Sequence, residues 1–242
     1  MTFVAVILIF LLAFSASFIQ RVSGFGFGIV FMTAAPYIMP TYGEATALSG
    51  MLALVCAIVT GVKFFRYIPW KKLLLILLTF LLVSYFAVHA VSHLDNRTLK
   101  HILGVILILI GLYFYLLNGK FRMKPTPGTQ IGMGILSGAM GGLFGMQGPP
   151  AVIYFISCTD NKEEYMAITQ WYFIIGNIAM TFYRAGNGFV TADVGKGWLV
   201  GAGAVLLGLL AGSKVYNMVP LDRLRKIVYI FICISGIAAL FA

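Results

Sequence analysis

Acid is scarce in this chain. Only seven Asp and Glu stand against 17 Lys and Arg in 242 residues, and charged residues make up 10%, where soluble domains average about 25%. That shortage excludes a water-soluble globule, whose surface needs charge to remain solvated. It excludes disorder as well, since disordered chains combine low hydrophobicity with high net charge and 61% of these residues are apolar. The net charge of +10 does not make a nucleic-acid-binding domain, because the basic residues are spread over short loops and form no face.

Cysteine is equally thin. Cys56, Cys158 and Cys233 lie far apart in apolar runs, and an odd count without short spacing fits neither a disulfide framework nor a zinc cluster, so packing is the expected role. A basic leader is missing too. The apolar run 2–19 contains Ser15-Ala16-Ser17, which resembles a cleavage site, but the first positive residue, Arg21, follows the run, so a retained helix is expected. No GxxxxGK[ST], HExxH or GxSxG occurs, and Asp95, Asp160, Asp193 and Asp222 fall at loop positions. The expectation is therefore no enzyme, no catalytic residue, no metal and no cofactor.

What is present is a run of ten apolar segments, at about 2–19, 25–40, 45–63, 70–91, 98–117, 130–144, 149–158, 165–183, 195–216 and 223–241. This predicts an all-α polytopic membrane protein with the lipid bilayer as its solvent. Between segments five and six lies NGKFRMKPTPGTQ, rich in basic residues and turn formers, so the chain divides into a first repeat (1–117), a hinge (118–130) and a second repeat (131–242). Local matches support the repeat: Gly24-Phe25-Gly26-Phe27-Gly28 with Gly145-Met146-Gln147-Gly148-Pro149, and Phe64-Phe65-Arg66 with Phe182-Tyr183-Arg184.

Loop charge gives the orientation, because cytoplasmic loops hold the excess of Lys and Arg. With ten crossings the odd-numbered loops carry thirteen and the even-numbered ones four, which places both termini outside. Fusing the first two segments of each half into single spans would leave a split of nine to seven. Five segments per half then make the halves inverted-topology repeats.

Segments two and seven are short, about 16 and 10 residues, where a span needs roughly 17 to 25. A matched pair of short Gly/Pro-interrupted segments is the best sequence pointer to a transporter's midplane site. Glycine lets a ligand approach the backbone, and a helix beginning inside the membrane presents free N–H groups and a positive dipole end to an anion. The candidate binding residues are Gly24, Gly26 and Gly28 in the first break and Gly145, Gln147 and Gly148 in the second. For a single glycine cluster, close helix packing would explain the pattern as well.

Segment eight adds Glu163, Gln170, Asn177 and Arg184 at heptad spacing, on one helix face. Gln170 and Asn177 lie mid-helix, where their amides serve either as ligands or as interhelical glue. Arg21, three residues before the first break, is the candidate cationic partner or else an interfacial anchor. Glu44 and Glu164 begin matched helices and suit capping. Gly197 with Gly201, and Gly208 with Gly212, read as helix packing.

The paired breaks, GFGFGIVFMTAAP and GGLFGMQGPPAV, together with the hinge and the LxK and LxR starts of the last helix of each half, resemble the TauE/SafE family of sulfite and organosulfonate exporters. The resemblance implies two repeated halves and movement of small sulfur oxyanions or sulfonates across the bacterial inner membrane. Phe27 and Gln147 stand where that family commonly has further glycines. The expected function is a secondary transporter of a small anion by alternating access, driven by a proton, another ion or the membrane potential. A passive anion channel and an intramembrane enzyme are the alternatives, and a homo-oligomer is open.

Overall fold

The computed structural model describes residues 2–117 and 123–215, and every regular element among them is a helix. Local signals set the boundaries. Helix α1 (Phe3–Ser23) opens where the Thr2 hydroxyl accepts the Ala5 N–H and closes where Gly24 turns left-handed. The expected second segment is two short helices, α2 (Phe27–Met32) and α3 (Ala35–Ile38). A capping box between Thr41 and Glu44 starts α4 (Tyr42–Gly61), which continues as a 3-10 turn, Val62–Tyr67. Helices α5 (Trp70–Val91) and α6 (Asn96–Leu117) complete the first half.

The second half opens with α7 (Pro127–Phe144), capped by Thr126 and Thr129, so the last four residues of the expected hinge are already helical. Then come α8 (Gly148–Cys158), α9 (Lys162–Gly186) and α10 (Ala192–Val215). The tenth expected segment, 223–241, with Asp222 and Cys233 at or within it, lies outside the described residues.

Helices α1, α4 with its extension, α5 and α10 are long and apolar enough to cross a membrane. The 22 residues of α5 reach about 33 Å, against a hydrocarbon core of about 30 Å. Its outward face carries exposed Leu74, Leu78, Leu82 and Phe86 at steps of four, a stripe suited to acyl chains. The buried core instead gathers Phe27, Phe31, Tyr154, Phe155 and Tyr172 around the short helices.

Small residues let the long helices approach. On α7, Gly134, Gly138 and Gly142 lie successively against the backbone carbonyls of Ile76, Phe80 and Ser84 on α5, where an added Cβ would sit within 2.9–3.0 Å of each oxygen. On α10, Gly208 and Gly212 meet the carbonyls of Phe14 and Phe18 on α1, while Gly197 and Gly201 receive Leu48 and Leu52 of α4. Rising numbers meet rising numbers in each pair, so α5 runs parallel to α7, and α10 runs parallel to both α1 and α4. Between α4 and α9 the order reverses: Gly50 faces Arg184 and Gly61 faces Gln170. Those two helices are antiparallel.

Loop-side polar groups pin the bundle's ends. The Lys72 ammonium donates to the Glu164 carboxylate at 2.8 Å and to the Cys158 carbonyl at 2.7 Å, tying α5, α8 and α9. Asn161 caps the Glu164 amide, so Glu164 itself is chiefly an ion-pair partner. Glu44 accepts from Thr41 in its capping box and from the Thr191 hydroxyl at 2.6 Å.

The α5–α7 approach predicts its own fragility. Gly138→Val should cost about 1–3 kcal/mol through overpacking and lower the melting temperature in detergent, whereas Gly132→Ala, with nothing within 4 Å of its added methyl, should leave it unchanged or slightly higher. Equal melting curves for the two variants would contradict the close α5–α7 contact.

Candidate functional site

Three glycines shape the two breaks. Gly24, Gly26 and Gly145 hold φ of 84°, 105° and 68°, left-handed values that other residues adopt only with strain. They turn the chain out of α1 and α7 and into α2 and α8. The breaks then cross: the space where a Gly28 side chain would stand is filled by the Gly145 carbonyl. Gly28 is required by this approach of two backbones.

At the crossing lies a cavity lined by Gln20, Gly26, Gly28, Gly145, Gln147, Gly148, Phe173 and Asn177, with Ala53 opposite. About 30 Å³ of it is open to water, room for about two water molecules. It sits beside Ala53 and Asn177, near the middles of α4 and α9. No lining side chain is charged. The first-turn N–H groups of Gly28, Ile29 and Gly148 have no partner within their helices, although Pro149 and Pro150 remove two donors from α8.

Side-chain amides supply the remaining polarity. The Gln20 carbonyl oxygen accepts the Phe27 N–H at 3.2 Å, which leaves its Nε2 without a partner among the described residues, as is the Asn177 Nδ2. Gln147 Oε1 is likewise unpartnered. Its backbone is fixed from behind, because the Ser137 hydroxyl donates to the Gln147 carbonyl and the Tyr172 hydroxyl donates to Ser137 at 2.7 Å. Two side-chain donors and one acceptor therefore line a neutral pocket.

The polar face of α9 ties both breaks to one helix. Gln170 donates to the Gly24 carbonyl at 3.0 Å, and Arg184 donates through Nη2 to the Gly141 carbonyl at 2.8 Å. Asn177, between them, reaches the cavity. Glu163 at the head of the stripe is exposed. Across from this face α4 offers Gly50, Ala53, Ala57 and Gly61, whose small side chains make room for long polar ones.

Of the nine residues picked from the sequence, Gly26, Gly28, Gly145, Gln147, Gly148 and Asn177 come together around the cavity. Gly24 and Gln170 bond each other outside its lining. Arg21 is elsewhere: its Nε donates to the Ser213 hydroxyl at 2.7 Å, in a separate hollow with Thr60, Lys63 and Leu209. Sequence reasoning passed over Gln20 and Phe173. Gln20 carried a signal, an amide in an apolar helix four residues before a glycine break; Phe173 carried none, being one aromatic among many.

A family model described as sulfite exporter TauE/SafE matches residues 9–239. The chain is 22% identical over 207 residues to a probable sulfite/organosulfonate exporter TauE of Cupriavidus necator, with 83% of this chain and 80% of that protein covered. No solved structure matches. With the family model spanning both glycine breaks and nearly all of the sequence, the chain belongs to the sulfite exporter TauE/SafE family of membrane transporters.

Proposed function

We propose that this protein is a secondary transporter that exports a small sulfur-containing anion, sulfite or an organosulfonate, across the bacterial inner membrane by alternating access. One observation carries the reading: the glycine breaks that follow α1 and α7 cross at one small, polar, uncharged cavity near the middles of α4 and α9. The matched C. necator protein is named as a sulfite/organosulfonate exporter, which supplies the substrate class. Free N–H groups at helix starts, together with the Gln20 and Asn177 amides, suit sulfonyl oxygens, and Gln147 Oε1 suits a hydroxyl on a protonated one.

The repeats are inverted in this reading. Matching α1 to α7, α4 to α9 and α5 to α10 puts α1, α4 and α10 in one direction and their counterparts α7, α9 and α5 in the other. The antiparallel α4–α9 contact and the parallel α1–α10 and α5–α7 contacts support that assignment. A two-fold axis in the membrane plane, passing near the α4–α9 contact, then relates the halves. In this reading short α2 and α8, each beginning at a break beside the cavity, stand on either side of that axis.

Closure favours a carrier over an open channel. A cavity that admits about two waters is too small for an oxyanion until the breaks part, and movement at the crossing parts them alternately toward each side. A coupled proton or the membrane potential drives the step. Basic residues concentrate where α1, α4 and α10 end, with Arg21, Lys63, Arg66 and Lys214, so this end faces the cytoplasm and both termini face outside.

Two measurements test the reading. In proteoliposomes loaded with sulfite, Gly28→Val should abolish efflux by forcing the breaks apart, and Asn177→Leu should slow it at least tenfold, with both variants still inserted; wild-type rates in both would remove the cavity from the transport path. For topology, single cysteines at Lys71→Cys and Lys196→Cys in an otherwise cysteine-free chain should react with impermeant maleimide from opposite faces, Lys196→Cys from outside. Labelling from the same face would end the inverted arrangement.

A further inference from the structure

Arg184 is the anomaly of the bundle. It is 1% exposed, and a buried cation in a membrane protein is expensive unless another charge compensates it. None does among the described residues, where ion pairs join Lys72 to Asp160 and Glu164, and Lys196 to Asp193. Glu44, the buried carboxylate, is engaged by Thr41 and Thr191. Of the guanidinium's donors, Nη2 bonds the Gly141 carbonyl, while Nε and Nη1 have no partner among the described residues.

Its position explains what such a charge is for. The Gly141 carbonyl that Arg184 holds also accepts the Gly145 N–H at 3.0 Å, and Gly145 lines the cavity. On the other side, a Cβ at Gly50 would lie 2.6 Å from Nη1 and 3.5 Å from the side-chain oxygen Oδ1 of Asn177, so the guanidinium and the cavity-lining amide share the space that Gly50 leaves open. The charge therefore sits immediately behind a wall made of Gly145 and Asn177. A carbonyl cap alone would need only one N–H and no net charge.

We propose that Arg184 is the counter-charge of the transported anion: when the breaks part, an oxyanion in the cavity passes the Asn177 amide and is bound by the free Nε and Nη1 hydrogens. This deepens the function proposed above and rests on it for the sulfur-anion class. The anion replaces the missing carboxylate, so affinity comes from charge-assisted hydrogen bonds in a low-dielectric site. Occupancy also relieves the burial cost of the free cation, so anion binding stabilises the form in which the breaks have parted.

The test is anion binding by the full-length protein in nanodiscs, measured by calorimetry with sulfite, methanesulfonate and nitrate. Arg184→Met should weaken binding at least 100-fold while the protein still melts cooperatively, and Arg184→Lys, which keeps the charge, should recover part of that loss. Gly50→Ala puts a methyl into the space beside Nη1 and should weaken binding about tenfold with the arginine in place; it decides the matter alone if Arg184→Met does not fold. Lys196→Gln, at the exposed start of α10, should bind as wild type does. Binding within threefold of wild type in both Arg184→Met and Gly50→Ala overturns the role of Arg184 and leaves the substrate class standing. If wild type binds nitrate but neither sulfur anion, and Arg184→Met loses the nitrate, the substrate class falls and the counter-charge stands. Wild-type protein that binds none of the three overturns both.

Discussion

A backbone that leaves helical geometry inside a membrane must find partners for its N–H and C=O groups without water. The fold answers that constraint twice, at Gly24–Gly26 and at Gly145–Gln147, by pressing the two breaks against each other and roofing them with one polar helix. Gln170 takes the Gly24 carbonyl, Arg184 takes the Gly141 carbonyl, and Ser137, backed by Tyr172, takes the Gln147 carbonyl. Of the buried polar groups that stay unsatisfied, Gln20 Nε2, Gln147 Oε1 and Asn177 Nδ2 lie at the cavity, with Arg184 Nε and Nη1 behind it. Groups left without a partner there are available to a ligand.

The division of labour between α4 and α9 follows from the same constraint. Both helices occupy the centre, yet one is built from glycine and alanine on its inner face and the other from Gln, Asn and Arg. Two polar faces would leave too little room for long side chains, and two small faces would leave the breaks uncapped. In the repeat reading proposed above, the halves would therefore correspond in backbone and differ in chemistry. Gly28 cannot gain a side chain without displacing Gly145.

Rigidity and motion are likewise separated. The α5–α7 and α1–α10 pairs, closed by glycines against backbone carbonyls, each join an element of one half to an element of the other, so the two halves are interlocked rather than side by side. In the alternating-access reading proposed above, the movement concentrates where packing is mediated by side-chain amides and a water-sized void. That region is the crossing itself.

Much of this was legible in the chain. Apolar runs and sparse charge determine a helical membrane protein, because lipid tolerates little else, and glycines with Pro149-Pro150 mark the breaks, because only they permit those turns. The spacing of Gln170, Asn177 and Arg184 already puts three polar groups on one face of α9. Their separate jobs were not readable, because heptad spacing fixes a face but not the neighbour opposite each residue. Only tertiary structure made Gln170 a clamp on Gly24, brought Asn177 to the cavity, set Gln20 beside it, and put Arg184 behind the wall while sending Arg21 to Ser213. A one-dimensional pattern reports which side of a helix is buried; what that side touches depends on crossing points that residues more than 100 positions apart decide together.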